Sequence, residues 1–359
     1  WVGGFAAKMN PDGTQVRIVG HGFRNSYEHT VTSFGDVFQN DNDDPPACRT
    51  TWLMEGGFIG FFSPDGKRGW KADQRPGQSI QEAQWRQADP GVLPAGDVYG
   101  GGSPTGICFY ENGALPSKYS GLLLSCEAGR KVVFGYFPKL KDSAFELDRS
   151  DFIKSKGSNF FRPSDVMVGA DGALYVADWF DSGVGGHSDN DQSCSGTIYR
   201  IAPKEFQPRI PQADPNTIKG AISLLSNPAQ NVRLVGFQTL KAAGPKAILA
   251  VRDLLDHPNE YVQARAVWLL PLLGNEGLKI VNSILAESPD AQMRLLAFRA
   301  LRNAGQDVIP LVSKLSRQEP SAAVRREAAI ALRDVPADRK TSHLFSLLQQ
   351  CKADDRTYL

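Results

Sequence analysis

The sequence predicts a multidomain β + α chain, a partial β-propeller followed by an α-solenoid, and three observations carry that prediction. Glycine and tryptophan concentrate at one end, with 29 of the 35 glycines and five of the six tryptophans before residue 206. Short apolar alternations fill this first part, which is the grammar of strands joined by tight turns. The remainder is rich in Ala and Leu and repeats at offsets of 30, 31 and 31 residues, a period that suits stacked helix pairs. Prolines in residues 202–211 deny a helix and predict an extended linker. The expected domains are therefore the C-terminal part of a propeller (1–205), a Pro-rich linker (206–213) and a solenoid (214–359).

In the first part, three stretches share one plan: a lead-in, an apolar strand, a turn, a second apolar strand and then polar or acidic residues. They cover residues 22–29 with 34–44, residues 103–110 with 121–127, and residues 162–168 with 171–179, the last closing on 196–201. Asp12-Gly13, Asp65-Gly66 and Asp171-Gly172 are tight-turn signals. A propeller blade takes four strands in roughly 40 to 50 residues. Three clear signatures, with a long insertion expected between the first and second, make about half a ring. Earlier blades are expected to lie outside this chain, which begins within a strand and turn.

The second part aligns on Val232-Arg233-Leu234-Val235, Val262-Gln263-Ala264-Arg265, Met293-Arg294-Leu295-Leu296 and Val324-Arg325-Arg326-Glu327. Each segment follows a shorter amphipathic one, and Asn227-Pro228, His257-Pro258, Ser288-Pro289 and Glu319-Pro320 punctuate the pairs. A two-helix unit cannot bury its apolar face alone, so neighbours stack. The pattern resembles short HEAT repeats, about four plus a partial one, over residues 214–350. His257 reads as a turn residue, His343 as a surface residue, Trp268 as a core aromatic and Arg325-Arg326 as a solvated face. Such an array predicts contact with a protein partner or support of its neighbouring domain.

With 359 residues, 40 Lys+Arg, 39 Asp+Glu and a net charge of +1, the chain lacks the electrostatic footprint of a general nucleic-acid or anionic-membrane binder. No apolar run approaches the roughly 20 residues of a transmembrane helix. The five cysteines form no CxxC, no CxxCH and no zinc spacing, which excludes the simple metal and c-type haem motifs. Up to two disulfides and buried free thiols both remain open readings.

A family resemblance rests on specific residues. Gly22-Phe23-Arg24-Asn25, the strand ending Gln39-Asn40-Asp41-Asn42-Asp43, the segment 104–110, Arg162-Pro163-Ser164-Asp165-Val166, Tyr175-Val176-Ala177-Asp178-Trp179 and Gly185-Gly186-His187 together resemble the glucose/sorbosone dehydrogenase-like propellers. More narrowly, they resemble the bacterial "putative membrane-bound dehydrogenase" group, in which a propeller precedes HEAT repeats and often a C-terminal cytochrome c. The resemblance implies six blades in full length and a fragment here, truncated at both ends and without haem. It also implies a secreted, periplasmic or extracellular oxidoreductase that uses pyrroloquinoline quinone (PQQ) and calcium to oxidise a sugar or related alcohol, passing electrons to an acceptor such as a cytochrome.

By this resemblance Arg24 and Asn25 would contact PQQ, since an Arg fork beside an amide suits carboxylate and quinone oxygens. Asp41, Asp43 and Asp44 would offer the hard oxygens that calcium prefers. Asp178, Asp181 and His187 form a second polar constellation, able to supply metal ligands or a general base. The family's catalytic base matches no position here, so no catalytic residue is assigned and the chain by itself is expected to be inactive. Two alternatives stand beside the dehydrogenase: a non-catalytic scaffold or carbohydrate-binding protein and, more weakly, a calcium-dependent lactonase-like propeller. Fold analogy alone does not separate them.

Overall fold

The computed structural model describes residues 3–43, 46–69, 73–157, 159–181, 184, 196–315, 319–355 and 357. Strands β1 (Gly4–Lys8) and β2 (Arg17–Phe23) form a hairpin, closed by a turn in which Gly13 takes φ +81°. Then come three antiparallel sheets. The first holds β3 (Ser26–Val31), β4 (Val37–Asp41), β5 (Cys48–Leu53) and, after β6 (Gly57–Phe58) and helix α1 (Ile80–Gln84), β7 (Asp97–Gly100). The second holds β8 (Pro104–Tyr110), β9 (Leu122–Glu127), β10 (Val132–Tyr136) and, beyond the hairpin β11 (Lys139–Lys141) and β12 (Ala144–Glu146), β13 (Ser150–Lys154). The third holds β14 (Pro163–Val168), β15 (Leu174–Asp178) and β16 (Thr197–Ile201).

The leading strands lie together, β3 against β8 and β8 against β14. Among the described residues these sheets do not close into a ring. The long insertion lies inside the first sheet, not between the first and second as its length suggests. It separates β5 from β7, and β6 within it pairs in parallel with β2. This ties the leading hairpin to the first sheet. Residues 202–213 are irregular, as the prolines require, and Ile210 within them is exposed.

Helices α2 (Ile218–Leu225), α3 (Gln230–Ala243), α4 (Ile248–Arg252), α5 (Glu260–Leu269), α6 (Asn275–Glu287), α7 (Ala291–Asn303), α8 (Val308–Leu315), α9 (Ala322–Ala331) and α10 (Ala337–Leu348) follow. The recurring Arg or Gln has a shared task. Arg233 donates to Pro228 O, Gln263 to His257 O, Arg294 to Ser288 O and Arg325 to Glu319 O. Each long side chain thus reaches back to a carbonyl of the preceding turn, satisfying an acceptor that the turn leaves without a backbone donor.

One apolar core runs through both parts, from Phe38, Trp52 and Phe109 in the sheets to Leu270, Leu296 and Leu301 in the helices. Buried ion pairs flank it. Glu111 holds Arg233 at 2.6 Å and Arg265 at 2.8 Å, and Asp36 holds Arg299 at 3.0 Å. Arg325 and Arg326 do not form a solvated face, being only 7% and 2% exposed. Arg326 stacks over Trp52 at 4.5 Å and donates to Ser143 O, so contact with the sheets takes it out of water. Trp268 likewise spans the junction, its indole N–H donating to Ser33 O at 2.8 Å. No described helix is long and apolar enough to cross a membrane.

Candidate functional site

Each of the three sheets ends its second strand on a buried carboxylate: Asp41 on β4, Glu127 on β9 and Asp178 on β15. Each accepts at least one backbone N–H from the turn that leads into the first strand of the same sheet. Asp41 accepts the backbone N–H of Arg24 (3.2 Å) and of Asn25 (2.7 Å). Glu127 accepts from Ser103 N and, at 2.5 Å, from Arg130 N. Asp178 accepts from Arg162 N at 2.8 Å and from Phe180 N at 2.9 Å. Buried N–H groups at a turn need acceptors, and a charged acceptor makes the stronger bond. Gly102 is part of this arrangement, because a Cβ there would stand 2.4 Å from Glu127 Oε1.

The three turns are chained into a polar rim. Asn42 Nδ2 reaches Gly102 O at 3.0 Å, Ala128 N reaches Ser103 O at 3.0 Å, and Arg162 Nη1 reaches Ala128 O at 3.0 Å. Arg24 belongs to it, with Nη1 donating to Asn42 O and Oδ1 and Nε 3.0 Å from Asp43. Its Nη2 makes no hydrogen bond to a described residue, and its side chain is 30% exposed. Asn25 is exposed, with its carboxamide unengaged by described residues.

Beneath the rim, Arg49 lies opposite Asp41 in the β4–β5 register, fully buried, its guanidinium 3.6 Å from the centre of the Trp85 ring. Burial pushes the Asp41 carboxyl up to about 6, against the opposing pull of Arg49. It pushes the Arg49 guanidinium down to about 10. Burial also lifts Glu127 to about 7, although backbone N–H groups and two arginines favour its charged form. Two rim carboxylates therefore titrate near neutrality because desolvation outweighs their partners. The thiol of Cys108 is driven by burial to about 12, making it an inert core group.

The structure brings Arg24, Asn25, Asp41 and Asp43 together. Asp178 and Asp181 gather around Arg162 in the third sheet, where Asp181 O accepts from Arg162 Nε at 2.9 Å and Asp181 Oδ2 accepts from Trp179 Nε1 at 3.1 Å. Asp44 and His187 lie outside the described residues, as does Cys194. Asp41 and Asp178 spend oxygens on backbone N–H groups, and Asp43 is paired with Arg24. Among the described residues no three His, Cys, Asp or Glu side chains gather as metal ligands. Glu127 and Arg49 had no place among the candidates from sequence. Glu127 was within reach, since it ends its strand as Asp41 and Asp178 end theirs.

Among solved structures, the chain is similar to one described as a putative oxidoreductase (glucose dehydrogenase) of Thermus thermophilus (16% identity, 51% of this chain and 46% of that one, TM-score 0.36). It is also similar to the soluble aldose sugar dehydrogenase of Escherichia coli (18%, 56% and 50%, TM-score 0.36). A third is the PQQ-bound aldose sugar dehydrogenase of Streptomyces coelicolor (15%, 55% and 51%, TM-score 0.38). The chain spans about half the length of each of these structures. No curated protein matches it. The model of one family, described as Domain of unknown function (DUF7133), matches residues 2–205, which takes in all three sheets and the whole rim. On that match the chain belongs to the DUF7133 family.

Proposed function

We propose that the chain is part of a secreted or periplasmic dehydrogenase that oxidises a hydroxyl of a sugar or related alcohol, with Arg24 and Asn25 holding PQQ at the rim. In this reading the three sheets are blades of a propeller, and the helices are HEAT-like repeats that brace them. The observation that carries it is the Arg24-Asn25 turn. Asp41 fixes both backbone N–H groups, while Arg24 Nη2 and the Asn25 carboxamide have no described partner. A guanidinium and an amide side by side are donors suited to a carboxylate and a carbonyl of one planar ligand.

PQQ, when bound, supplies the two-electron acceptor for the substrate's hydride, which is chemistry that no side chain offers. The chain's own residues bind and orient. Asp43 and Asn42 hold the Arg24 guanidinium in one position, so that little side-chain entropy is lost on binding. The resemblance in residues 22–43, 104–110 and 162–179 supports the assignment of cofactor and substrate class. No calcium ligand and no proton acceptor is assigned among the described residues.

Calorimetric titration of PQQ into the chain, repeated with Arg24→Ala, tests this reading. Saturable binding that weakens by roughly 10-fold to 100-fold in the variant is expected. Equal binding by the variant removes Arg24 from the site. Absence of PQQ binding, with saccharide binding retained, puts a carbohydrate-binding scaffold in its place.

A further inference from the structure

A second site lies at the junction of sheets and helices, away from the rim. Between the loop after β3 and helices α3 and α5 opens a cleft of about 440 Å³, within the range of small-molecule sites. Its walls are mainly apolar, formed by Val31, Leu234, Phe237 and Trp268, and Arg233 and Arg265 add two positive charges. No carboxylate is among its lining residues.

The charge beneath the cleft does not balance. Arg233 and Arg265 both ion-pair with Glu111, which is itself only 2% exposed, and among the described residues neither touches another carboxylate. Glu260, which feels the charge of Glu111, pairs with neither arginine. One buried guanidinium, Arg265, and one partly buried, Arg233, thus share one carboxylate. Consistently, burial and then the charge of Arg233 push Arg265 down to about 10.

Their donor sets also differ. Arg265 is fully engaged, by Ser33 Oγ, Leu225 O, Asn227 O, Glu111 and Asn112 Oδ1. Arg233 donates to Ser33 Oγ, Glu111 and Pro228 O, but its Nε–H is buried without an acceptor. Of the two arginines, Arg233 is thus the one with hydrogen-bonding capacity left over.

We propose that this cleft binds a small monocarboxylate with an apolar body, the carboxylate beside Arg233 and the body against Phe237, Trp268 and Leu234. One excess positive charge sets the ligand's charge at one negative. The apolar walls set the character of the rest. The site uses none of the rim residues, so it stands or falls independently of the quinone reading.

The probes are phenylacetate and its uncharged counterpart phenylacetamide, titrated into the whole chain at low ionic strength and read by ligand-observed NMR. Phenylacetate should saturate and should bind at least roughly 10-fold more tightly than the amide, with affinity falling as salt rises. Leu234 is 54% exposed, so Leu234→Glu places a negative charge at the cleft mouth without disturbing the core. It should weaken phenylacetate at least about 10-fold and the amide, which loses only the apolar contact with Leu234, by clearly less, with unaltered thermal melting. Arg233→Gln should remove the preference for the acid. Three results overturn the proposal: equal binding of acid and amide, no saturation by phenylacetate up to about 10 mM, or indifference of its affinity to Leu234→Glu in a folded protein.

Discussion

The rim and the sheet–helix junction both bury carboxylates, and they neutralise them in opposite ways. At the rim, Asp41, Glu127 and Asp178 accept backbone N–H groups. At the junction, Glu111, Asp36 and Glu327 are gripped by Arg233, Arg265 and Arg299. The consequence shows in acidity. Asp41 and Glu127 rise to about 6 and about 7 because burial outweighs their partners. Glu327 is held below its ordinary value, since burial, its largest influence, is outweighed by the combined pull of Arg299, Arg326 and Arg302. At Asp41 and Glu127 burial outweighs backbone donors and nearby arginines together, leaving carboxylates able to take a proton near neutrality, whereas at Glu327 three arginines outweigh burial and hold the charge. The first arrangement suits a surface that meets a ligand, and the second suits a seam that must stay closed.

Breaking the seam should have the largest effect. Glu111→Gln leaves Arg265, buried, and Arg233, partly buried, without a carboxylate, and a loss of about 3 to 5 kcal/mol is expected in urea unfolding. A rim-sized loss near 1 kcal/mol would mean that water reaches those arginines.

The next effect separates the two regions by pH. Asp41 and Glu127 have folded values above their ordinary 3.8 and 4.5, so between about pH 4 and about pH 7 the folded state holds more protons than the unfolded one. Their contribution to stability therefore falls as pH rises through that window. Glu327 behaves oppositely, its contribution being present at neutral pH and lost on acidification through its lowered value. The double variant Asp41→Asn with Glu127→Gln should flatten the decline between about pH 5 and pH 7.5, by on the order of 2 kcal/mol or more. Chemical denaturation across pH reads this directly, and an unchanged slope would show that neither group holds its proton in the fold.

The smallest effect is expected at the edge of the seam. Arg333 pairs with Glu55 and Asp334 but is 39% exposed, so Arg333→Ala should change stability by no more than about 0.5 kcal/mol. A larger loss would extend the buried network to that edge.

The first two strands of each sheet, and β16, were legible because apolar alternation is a local signal, whereas β5, β7, β10 and β13 were not marked. The helix pairs were legible because Arg or Gln recurs where a preceding turn leaves a carbonyl to be capped. The burial of Arg325 and Arg326 was not, since it depends on Trp52 and Ser143 in a remote sheet. Nor was the place of the insertion, because β7 spans only Asp97–Gly100 and is fixed by pairing with β5. At the rim, Arg24, Asn25 and Asp41 could be named from the sequence. The task shared by Asp41, Glu127 and Asp178 could not, because the end of one strand meets the start of another only in three dimensions.

Amide hydrogen exchange at the lead-in turns, normalised for intrinsic rates, tests the central claim most directly. In the wild-type chain the Arg24 and Asn25 amides should be protected, and PQQ should protect them further. In Asp41→Ala both should lose that protection, while Ser103, held by Glu127, keeps its own. Exchange at Arg24 and Asn25 that is indifferent both to Asp41→Ala and to PQQ would contradict the account.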